Sequence, residues 1–292
     1  MQISIIIPIY NAEKYLEKLI ESLLNQNYEG DFEIITVNNN SSDKSKEILD
    51  RYKDKIVYLE QNEIASSYVS RNVGIKKSKG DILAFIDADC IADKSWLKNG
   101  EKSMKEKNAD LVGGEVKFYF SKKPKLAEYF DSIAHFQFKK TAKNQHSVGG
   151  GNLIVKKEIF NKIGLFPNVK SGGDFQWTNK AYNAGYKLIY SEDVIVYHPT
   201  RKLNELLHKQ LRLGSSLRSH KKLKTNYTLN KKSFWERISP FYSFKKIKEL
   251  AKGNENEEII NKKIFKIWLV ASLCKTTKLI GYFLSFFGYK HR

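Results

Sequence analysis

The fold of this chain is decided by a short apolar run that ends in two acids, Asp81–Ile82–Leu83–Ala84–Phe85–Ile86–Asp87–Ala88–Asp89. The apolar part, with Gly80 before it, is typical of a buried strand. Two carboxylates at the end of a buried strand are costly unless a positive group meets them. Oxygen ligands there suit a hard divalent cation that shares its coordination shell with phosphate. A solvated turn at the strand end explains the triplet equally well. The surrounding sequence must therefore decide between a cation site and a solvated turn.

Strands and helices alternate around this run. Apolar strands are predicted at 3–7, 32–37, 56–59 and 81–86, and later ones at 111–120, 148–156 and 186–190. Apolar residues recur at helical spacing from Leu16 to Leu24, and residues 64–78 are also predicted to be helical. This alternation predicts an α/β fold with a mostly parallel central sheet flanked by helices.

Three polar loops follow predicted strands. They contain Tyr10 and Asn11, the run Asn38–Asn40, and the triplet Asp87–Asp89. Ligands of parallel α/β sheets bind at the carboxyl ends of the strands. Three loops that converge on one edge therefore favour a binding site over an isolated solvated turn.

Charge and cysteine content limit the classes of function. Residues 1–200 hold 29 Lys/Arg and 26 Asp/Glu, whereas residues 201–292 hold 22 and 6, so most of the formal net charge of +19 lies in the tail. A basic tail can meet nucleic acid, anionic lipid or an acidic substrate. The two cysteines, Cys90 and Cys274, are too few for a disulfide framework or a thiolate metal site and favour a reducing compartment. The residues after Met1 lack the features of a signal peptide.

Seven short motifs follow one another along the first 200 residues. They are Ile5–Asn11, Asn38–Asp43, Ser70–Ile75, Asp87–Asp89, Gly150–Asn152, Gly173–Asp174 with Trp177, and His198–Pro199. Each motif is weak alone. In this order, and with strands around them, they resemble the family 2 glycosyltransferases of the GT-A fold, over roughly residues 3–215.

The resemblance implies a nucleotide-diphosphate sugar donor, with a UDP-sugar favoured, and Mg²⁺ or Mn²⁺ as cofactor. The residues it implies in donor binding are Pro8, Tyr10, Asn11, Asn38, Asn40, Arg71, Asp87, Ala88, Asp89 and Arg212. Asp89 and His198 would hold the metal, and Asp174 would be the general base that takes a proton from the acceptor hydroxyl. Gly150, Gly151 and Trp177 would contact the acceptor. The implied reaction is a hexosyltransferase-type displacement with inversion at the anomeric carbon.

The chain departs from the family pattern at two positions. Asn38 stands where the family commonly has an acid, and because an amide both donates and accepts, the identity of the donor base stays open. Gly173–Asp174 stands where the family often has two acids, and one carboxylate is enough for a base.

Each of these residues also has a purely structural interpretation. Asn38–Asn40 could cap a helix, and Arg71 could pair with a surface acid. Asp174 could be an ordinary N-cap, and His198 could simply end a strand. Trp177 could belong to the core. Cys90 is expected to be a small buried residue and not a ligand.

The tail, residues 201–292, is predicted to be a helical extension of a catalytic domain at 1–200. Its segment 264–289 is apolar and aromatic but is interrupted by Lys275 and Lys278. Neither apolar piece reaches the roughly 18 uncharged residues that a spanning helix needs. A helix that lies in the membrane interface, with its lysines toward the headgroups, fits this pattern. A helix packed on the catalytic domain is the alternative.

The sequence therefore predicts a metal-dependent, inverting glycosyltransferase that acts on a hydroxyl of a glycan or lipid-linked acceptor. We expect it in cell-surface polysaccharide or lipopolysaccharide biosynthesis, peripheral on the cytoplasmic face of the inner or plasma membrane. One alternative is a non-catalytic nucleotide- or glycan-binding relative of the same fold. A nucleic-acid-binding protein is a weaker alternative, because it rests on charge alone and no recognition motif accompanies the charge; no nucleic-acid partner is expected.

Overall fold

The computed structural model describes residues 2–169, 171–222 and 241–287, with the backbone alone at 217–222. Its strands are β1 (Ile3–Ile9), β2 (Phe32–Asn38), β3 (Val57–Glu60), β4 (Ile82–Ile86), β5 (Ile91–Ala92), β6 (Leu111–Tyr119), β7 (Asn152–Lys156) and β8 (Leu188–Pro199). Its helices are α1 (Glu13–Leu24), α2 (Ser45–Asp50), α3 (Ser67–Lys77), α4 (Trp96–Glu106), α5 (Leu126–Ala134), α6 (Phe138–Gln145), α7 (Glu158–Ile163), α8 (Gly173–Asn183), α9 (Leu203–Lys222), α10 (Phe244–Ala251), α11 (Glu257–Lys262) and α12 (Ile264–Leu284). A short 3₁₀ turn, Ser285–Phe287, follows α12.

The strands form one sheet in the order β3-β2-β1-β4-β7-β6-β8-β5. β1 pairs in parallel with β2 and β4, and β2 pairs in parallel with β3. The isoleucines of β1 are fully buried: Ile3, Ile5, Ile6, Ile7 and Ile9. A central strand of a parallel sheet is almost continuously apolar because both of its faces are covered. The predicted α/β class is confirmed, and the carboxyl ends of β1, β2 and β4 lie at one edge of the sheet.

The other strands are joined by antiparallel pairing. β7 is antiparallel to β4 and to β6, and β5 is antiparallel to β8, with Ile91 opposite Tyr197. The predicted strand at 186–190 is part of the longer β8. The predicted strand at 148–156 begins only at Asn152, because the preceding glycines form a loop whose backbone bonds to a side chain and not to a neighbouring strand.

The described chain packs as two compact units. The first comprises Met1–Lys117 and Phe138–His198, and the second comprises Phe118–Gln137 and Pro199–Arg292. This division differs from the predicted boundary at residue 200, because the aromatic segment 118–137 groups with the C-terminal residues. Within the second unit, Phe130 and Ile133 of α5 share one buried apolar cluster with residues of the C-terminal helices, Leu206, Ile247, Ile260, Ile267, Ala271 and Cys274.

Two helices of the second unit, α9 and α12, approach each other to backbone contact. A Cβ atom added to Gly214 would lie 2.0 Å from the carbonyl oxygen of Lys278. One added to Gly281 would lie 2.4 Å from the carbonyl oxygen of Leu211. The two glycines are therefore required by packing and not by a special backbone conformation.

The described part of the apolar segment near the C-terminus forms α12 and the 3₁₀ turn that follows it, and residues 288–289 of the segment lie outside the described residues. Within the described residues, Ile264–Phe287 is long and apolar enough to cross a membrane, and 33% of its most apolar window is buried inside the protein. The ammonium of Lys275 donates to the carbonyl oxygen of Phe241 (2.8 Å) and lies 5.4 Å from the ring centroid of Tyr242. Lys275 therefore bonds within its own unit, and its position relative to lipid headgroups stays a prediction.

Candidate active site

The loops after β1 and β2 are held together by hydrogen bonds. The backbone N–H of Asn11 donates to Ser41 Oγ (3.0 Å), and the backbone N–H of Ser42 donates to Asn11 Oδ1 (2.8 Å). Asn11 and Asn40 both have positive φ angles, 47° and 54°, in the left-handed region that asparagine tolerates better than most residues. Tyr10, with its side chain 44% exposed, stands beside them at the end of β1. These predicted donor-binding residues are thus brought together at the expected edge.

Asn38 and Asn39 have different partners. The amide Nδ2 of Asn38 donates to the hydroxyl of Tyr58 (3.2 Å), and its Oδ1 accepts from Ser41 Oγ (2.7 Å). Asn39 points inward, and its Nδ2 donates to the carbonyl oxygen of Ser66 and to Ser70 Oγ. Asn39 therefore ties the loop after β2 to α3, while the donor-base contact of Asn38 stays a prediction.

Arg71 pairs with the first acid of the triplet. Its Nη2 donates to Asp87 Oδ1 (2.5 Å) and to the carbonyl oxygen of Gly150 (3.4 Å), and the residue is only 3% exposed. Burial raises the pKa of the Asp87 carboxyl, and the charge of Arg71 opposes that rise. A buried guanidinium next to a cluster of acids is the positive group that the strand end requires. The alternative of a surface ion pair does not describe Arg71.

Asp89 and His198 lie against each other. His198 Nε2 is 3.1 Å from Asp89 Oδ2, and the imidazole is fully buried. A carboxylate oxygen and an imidazole nitrogen at this separation are a donor set that fits a divalent cation. The structure thus brings the two predicted metal ligands together although more than a hundred residues separate them in the chain.

Cys90 belongs to the same group, and the sequence analysis missed it. Ligand atoms of Asp89, Cys90 and His198 all lie within 4.8 Å of one another. The cysteine directly follows the acidic triplet, and this adjacency was the available signal. The expectation that Cys90 is merely a small buried residue is therefore incomplete, because its immediate surroundings are a carboxylate and an imidazole.

Asp174 lies in the first turn of α8, and its carboxylate reaches across to two other elements. Oδ2 accepts from the backbone N–H of Gly150 (2.6 Å), and Oδ1 accepts from the hydroxyl of Tyr68 on α3 (3.1 Å). Oδ1 also accepts from the backbone N–H of Phe175 (2.9 Å). The N-cap of α8 is Gly172, so Asp174 is not the ordinary N-cap residue of the structural interpretation.

Gly150 connects the two sides of this site. Its N–H donates to Asp174, and its carbonyl oxygen accepts from Arg71. A Cβ at this position would lie 3.1 Å from Arg71 Cζ, which is tighter than ordinary packing allows. The predicted role of Gly150 and Gly151 at the acceptor stays a prediction, and the observed role of Gly150 is to link Arg71 to Asp174.

Trp177 does not offer an aromatic face to a sugar. It is 2% exposed, its ring stacks on Phe160 with centroids 4.0 Å apart, and its Nε1 donates to the carbonyl oxygen of Gly164 (2.6 Å). The predicted acceptor contact is corrected here, because an indole covered by its own core cannot also form a binding platform. Arg212 lies on α9 in the second unit, and its role in donor binding stays a prediction.

Comparisons with known proteins agree with this arrangement. The family model described as "Glycosyl transferase family 2" matches residues 4–164. The chain is 38% identical to glycosyltransferase AglE of Haloferax volcanii over 217 residues, which cover 73% of this chain and 71% of AglE.

Two solved structures share the fold. One is the mannosyltransferase PcManGT of Pyrobaculum calidifontis in complex with GDP-Man and Mn2+, with a TM-score of 0.68 and 16% identity over 99% of this chain and 88% of that one. The other is S. aureus TarS 1-349 in complex with UDP, with a TM-score of 0.55 and 21% identity over 100% and 93%. The sheet, the site residues and these relatives lead to one conclusion: the chain is a glycosyltransferase and belongs to glycosyl transferase family 2.

Proposed function

We propose that this enzyme transfers a sugar, with inversion, from a nucleotide-diphosphate sugar to a hydroxyl of a glycan or lipid-linked acceptor. The observation that carries the proposal is the double use of Gly150, which bonds to Arg71 through its carbonyl oxygen and to Asp174 through its N–H. Gly150 thereby fixes the positions of two groups: the Arg71 guanidinium, which suits phosphate, and the Asp174 carboxylate, which suits proton removal.

Each side of the site has its own task in this proposal. Arg71 and Asp87 orient the donor, since the guanidinium can meet phosphate oxygens and the carboxylate can accept from sugar or ribose hydroxyls. Asp89 and His198 would hold a bound Mg²⁺ or Mn²⁺, which supplies charge neutralisation at the departing diphosphate. Asp174 takes the proton of the acceptor hydroxyl as its oxygen attacks the anomeric carbon. Nucleotide sugars are supported as donors because PcManGT was solved with GDP-Man and TarS with UDP.

The test is a panel of UDP- and GDP-sugars incubated with the full chain, with and without Mn²⁺, and read by released nucleoside diphosphate. We expect metal-dependent turnover of at least one donor, which Asp174→Asn strongly reduces. Donor-induced thermal stabilisation without any turnover would favour the non-catalytic alternative. Absence of both, across the panel, would contradict the proposal.

We also propose that the enzyme is peripheral on an anionic membrane, through its second unit. The outer face of α12 carries a stripe of exposed apolar side chains, Phe265, Leu269, Leu273, Ile280 and Phe283. Basic residues predominate in residues 201–292. Such a combination binds anionic lipid by apolar insertion plus charge attraction, and only the second part is screened by salt. A cell-surface or envelope glycan acceptor is consistent with this location.

Co-sedimentation with anionic and neutral vesicles tests the membrane proposal. Removal of α12 is unsuitable, because Ile267 and Ala271 belong to the buried cluster of the second unit. Leu269→Glu and Phe283→Glu place charge on the exposed stripe instead, and Leu165→Glu, at an exposed leucine of the first unit, is the matched control. We expect the first two variants to lose salt-resistant binding. Equal sedimentation of all variants would contradict the proposal.

A further inference from the structure

Cys90 is held opposite His198 by the sheet. β5 and β8 pair antiparallel with Ile91 opposite Tyr197 and Ala92 opposite Val196. Cys90 directly precedes β5, so extending this register by one residue places it opposite His198 of β8. Opposite residues of an antiparallel pair have their Cβ atoms about 4.5–5.5 Å apart on one face. The pairing of two strands therefore sets the separation of thiol and imidazole.

The same sulfur faces the second acid of the triplet. Cys90 Sγ lies 3.9 Å from Asp89 Oδ1, and the backbone N–H of Cys90 donates to the carbonyl oxygen of Asp87 (3.1 Å), which closes a turn around Ala88. The thiol is 1% exposed. Zn–S, Zn–N and Zn–O bonds are about 2.3, 2.0 and 2.0–2.2 Å long, so ligand atoms on one ion lie roughly 3–4 Å apart. The three side chains need little movement to reach that spacing.

We propose that Cys90 is a third protein ligand of the metal site, and that its sulfur makes the site prefer softer divalent ions, Co²⁺ and Zn²⁺, over Mg²⁺. The inference rests on the proposed function in one respect: the metal ion is the one that we propose binds the donor diphosphate. Carboxylate and water suit Mg²⁺, imidazole suits several transition metals, and thiolate selects soft ions such as Zn²⁺. With one oxygen and one nitrogen ligand alone, the preference among metal ions would follow only their general order of affinity for such ligands. A sulfur ligand binds Mg²⁺ poorly and therefore selects directly against it.

The other cysteine offers an internal comparison. Cys274 is also buried, but it lies in the apolar cluster of the second unit, and burial raises the pKa of its thiol to about 12. Among the residues that the structure describes, it belongs to no group of potential metal ligands. Of these two buried thiols, Cys90 is therefore the one that lies in a group of potential metal ligands within the described part of the chain.

Cobalt titration of the full chain, without donor or acceptor, tests the proposal. Thiolate bound to Co²⁺ gives a near-ultraviolet charge-transfer band, and oxygen and nitrogen ligands do not. We expect the band in the unmodified chain and in Cys274→Ser, where Cys90 is the remaining thiol, and its loss in Cys90→Ser. Calorimetry with Zn²⁺ should show at least about tenfold weaker binding in Cys90→Ser, since even loss of an outer-shell partner costs about 10–100-fold. Mg²⁺ affinity should fall much less.

A cobalt complex without the band in Cys274→Ser would overturn the proposal, and so would equal Zn²⁺ affinity of Cys90→Ser and the unmodified chain. If Cys90→Ser does not fold, the Cys274→Ser spectrum still decides the question. These readouts involve no sugar. A chain that shows the thiolate band but turns over no nucleotide sugar would therefore refute the proposed function and leave the sulfur ligand standing.

Discussion

At the scale of single residues, the site consists of charged and titratable side chains that are paired with one another. Arg71 is almost fully buried and bonds to Asp87, while Asp89 faces His198. Removing one partner of a buried charged pair leaves the other without compensation, which typically costs about 3–5 kcal/mol. Substitutions at Asp87 and Arg71 are therefore expected to lower both the stability and the activity, so that a loss of activity could not be assigned to catalysis alone. Asp89 and Asp174 are better probes, because Asp89 faces an imidazole and Asp174 accepts from neutral donors, whereas Asp87 compensates the charge of a buried guanidinium.

Asp89→Ala should abolish metal-dependent binding of a nucleoside diphosphate. The variant removes the carboxylate that anchors the ion but leaves Arg71 in place to bind phosphate weakly and Asp87 to accept from ribose hydroxyls. Calorimetry with UDP and GDP, each with and without Mn²⁺, measures the difference. Asp93→Ala, at an acid just beyond β5, is a control that should keep the metal effect. A folded Asp89→Ala protein with undiminished metal-dependent affinity would show that another residue anchors the ion.

Asp174→Asn should reduce transfer by roughly 10²–10⁴-fold, the usual contribution of a general base, with donor affinity nearly unchanged. The amide keeps the shape of the carboxylate and can still accept one of the bonds from Tyr68 and Gly150, but it cannot take a proton. Steady-state transfer and donor calorimetry are measured on the same preparation. Transfer that survives within a few-fold would mean that a different group is the base.

At the scale of elements, α9 and α12 depend on glycine at their crossing. Gly281→Ala should destabilise the second unit by about 1–3 kcal/mol or more, because the added methyl group meets backbone that has no room to yield. Leu273→Ala on the exposed face of the same helix is the control and should change the stability much less. Urea unfolding followed by fluorescence measures both. Equal destabilisation by the two substitutions would show that the close crossing is not tight in solution.

The elements also show how far sequence patterns reach. β1 is apolar except at Ser4, and Ile82–Ile86 is apolar at every position, so both strands, and the loops at their ends, could be predicted. β5 has two residues and carries no periodic signal, so the pairing with β8 that sets Cys90 opposite His198 could not be predicted. Phe130 and Ile133 of α5 pack against partners that lie some seventy residues or more further along the chain. Contacts between residues so far apart in the sequence depend on the tertiary fold and cannot be predicted from local sequence patterns.

At the scale of the whole molecule, acid should act on stability through a buried pair in the second unit. Asp131 Oδ1 lies 2.6 Å from His135 Nδ1, and the Arg201 guanidinium lies 3.5 Å from the same carboxylate. Burial acts to raise the pKa of Asp131, but His135 and Arg201 outweigh it and hold that pKa below its usual value. Burial and the charge of Lys209 lower the pKa of His135 to about 4, against the opposing effect of Asp131.

The free energy of unfolding should therefore fall as the pH falls. Between about pH 6.5 and pH 4 the unfolded chain binds a proton at His135 that the folded chain does not, and below about pH 4 the same holds at Asp131. Thermal unfolding from pH 7 to pH 4 should show a decreasing midpoint, and His135→Gln should flatten that decrease. His208→Gln, at an exposed histidine of the same unit, should not. An equal slope in His135→Gln and the unmodified chain would contradict this assignment.

The juxtaposition of Asp89 and His198 also has a consequence in time. During synthesis at about 5–20 residues per second, Asp89 leaves the ribosome roughly 5–20 s before His198. Within the described part of the chain β5 pairs with β8, so its strand partner emerges only later, and Asp174 also arrives late. A nascent chain that ends at residue 164, where the family model stops matching, already holds Arg71 and the acidic triplet but neither the base nor the imidazole. The phosphate-binding part of the site, Arg71 with the acidic triplet, can therefore form while the enzyme is still being translated. Asp174 and His198, which complete the site, are synthesised last.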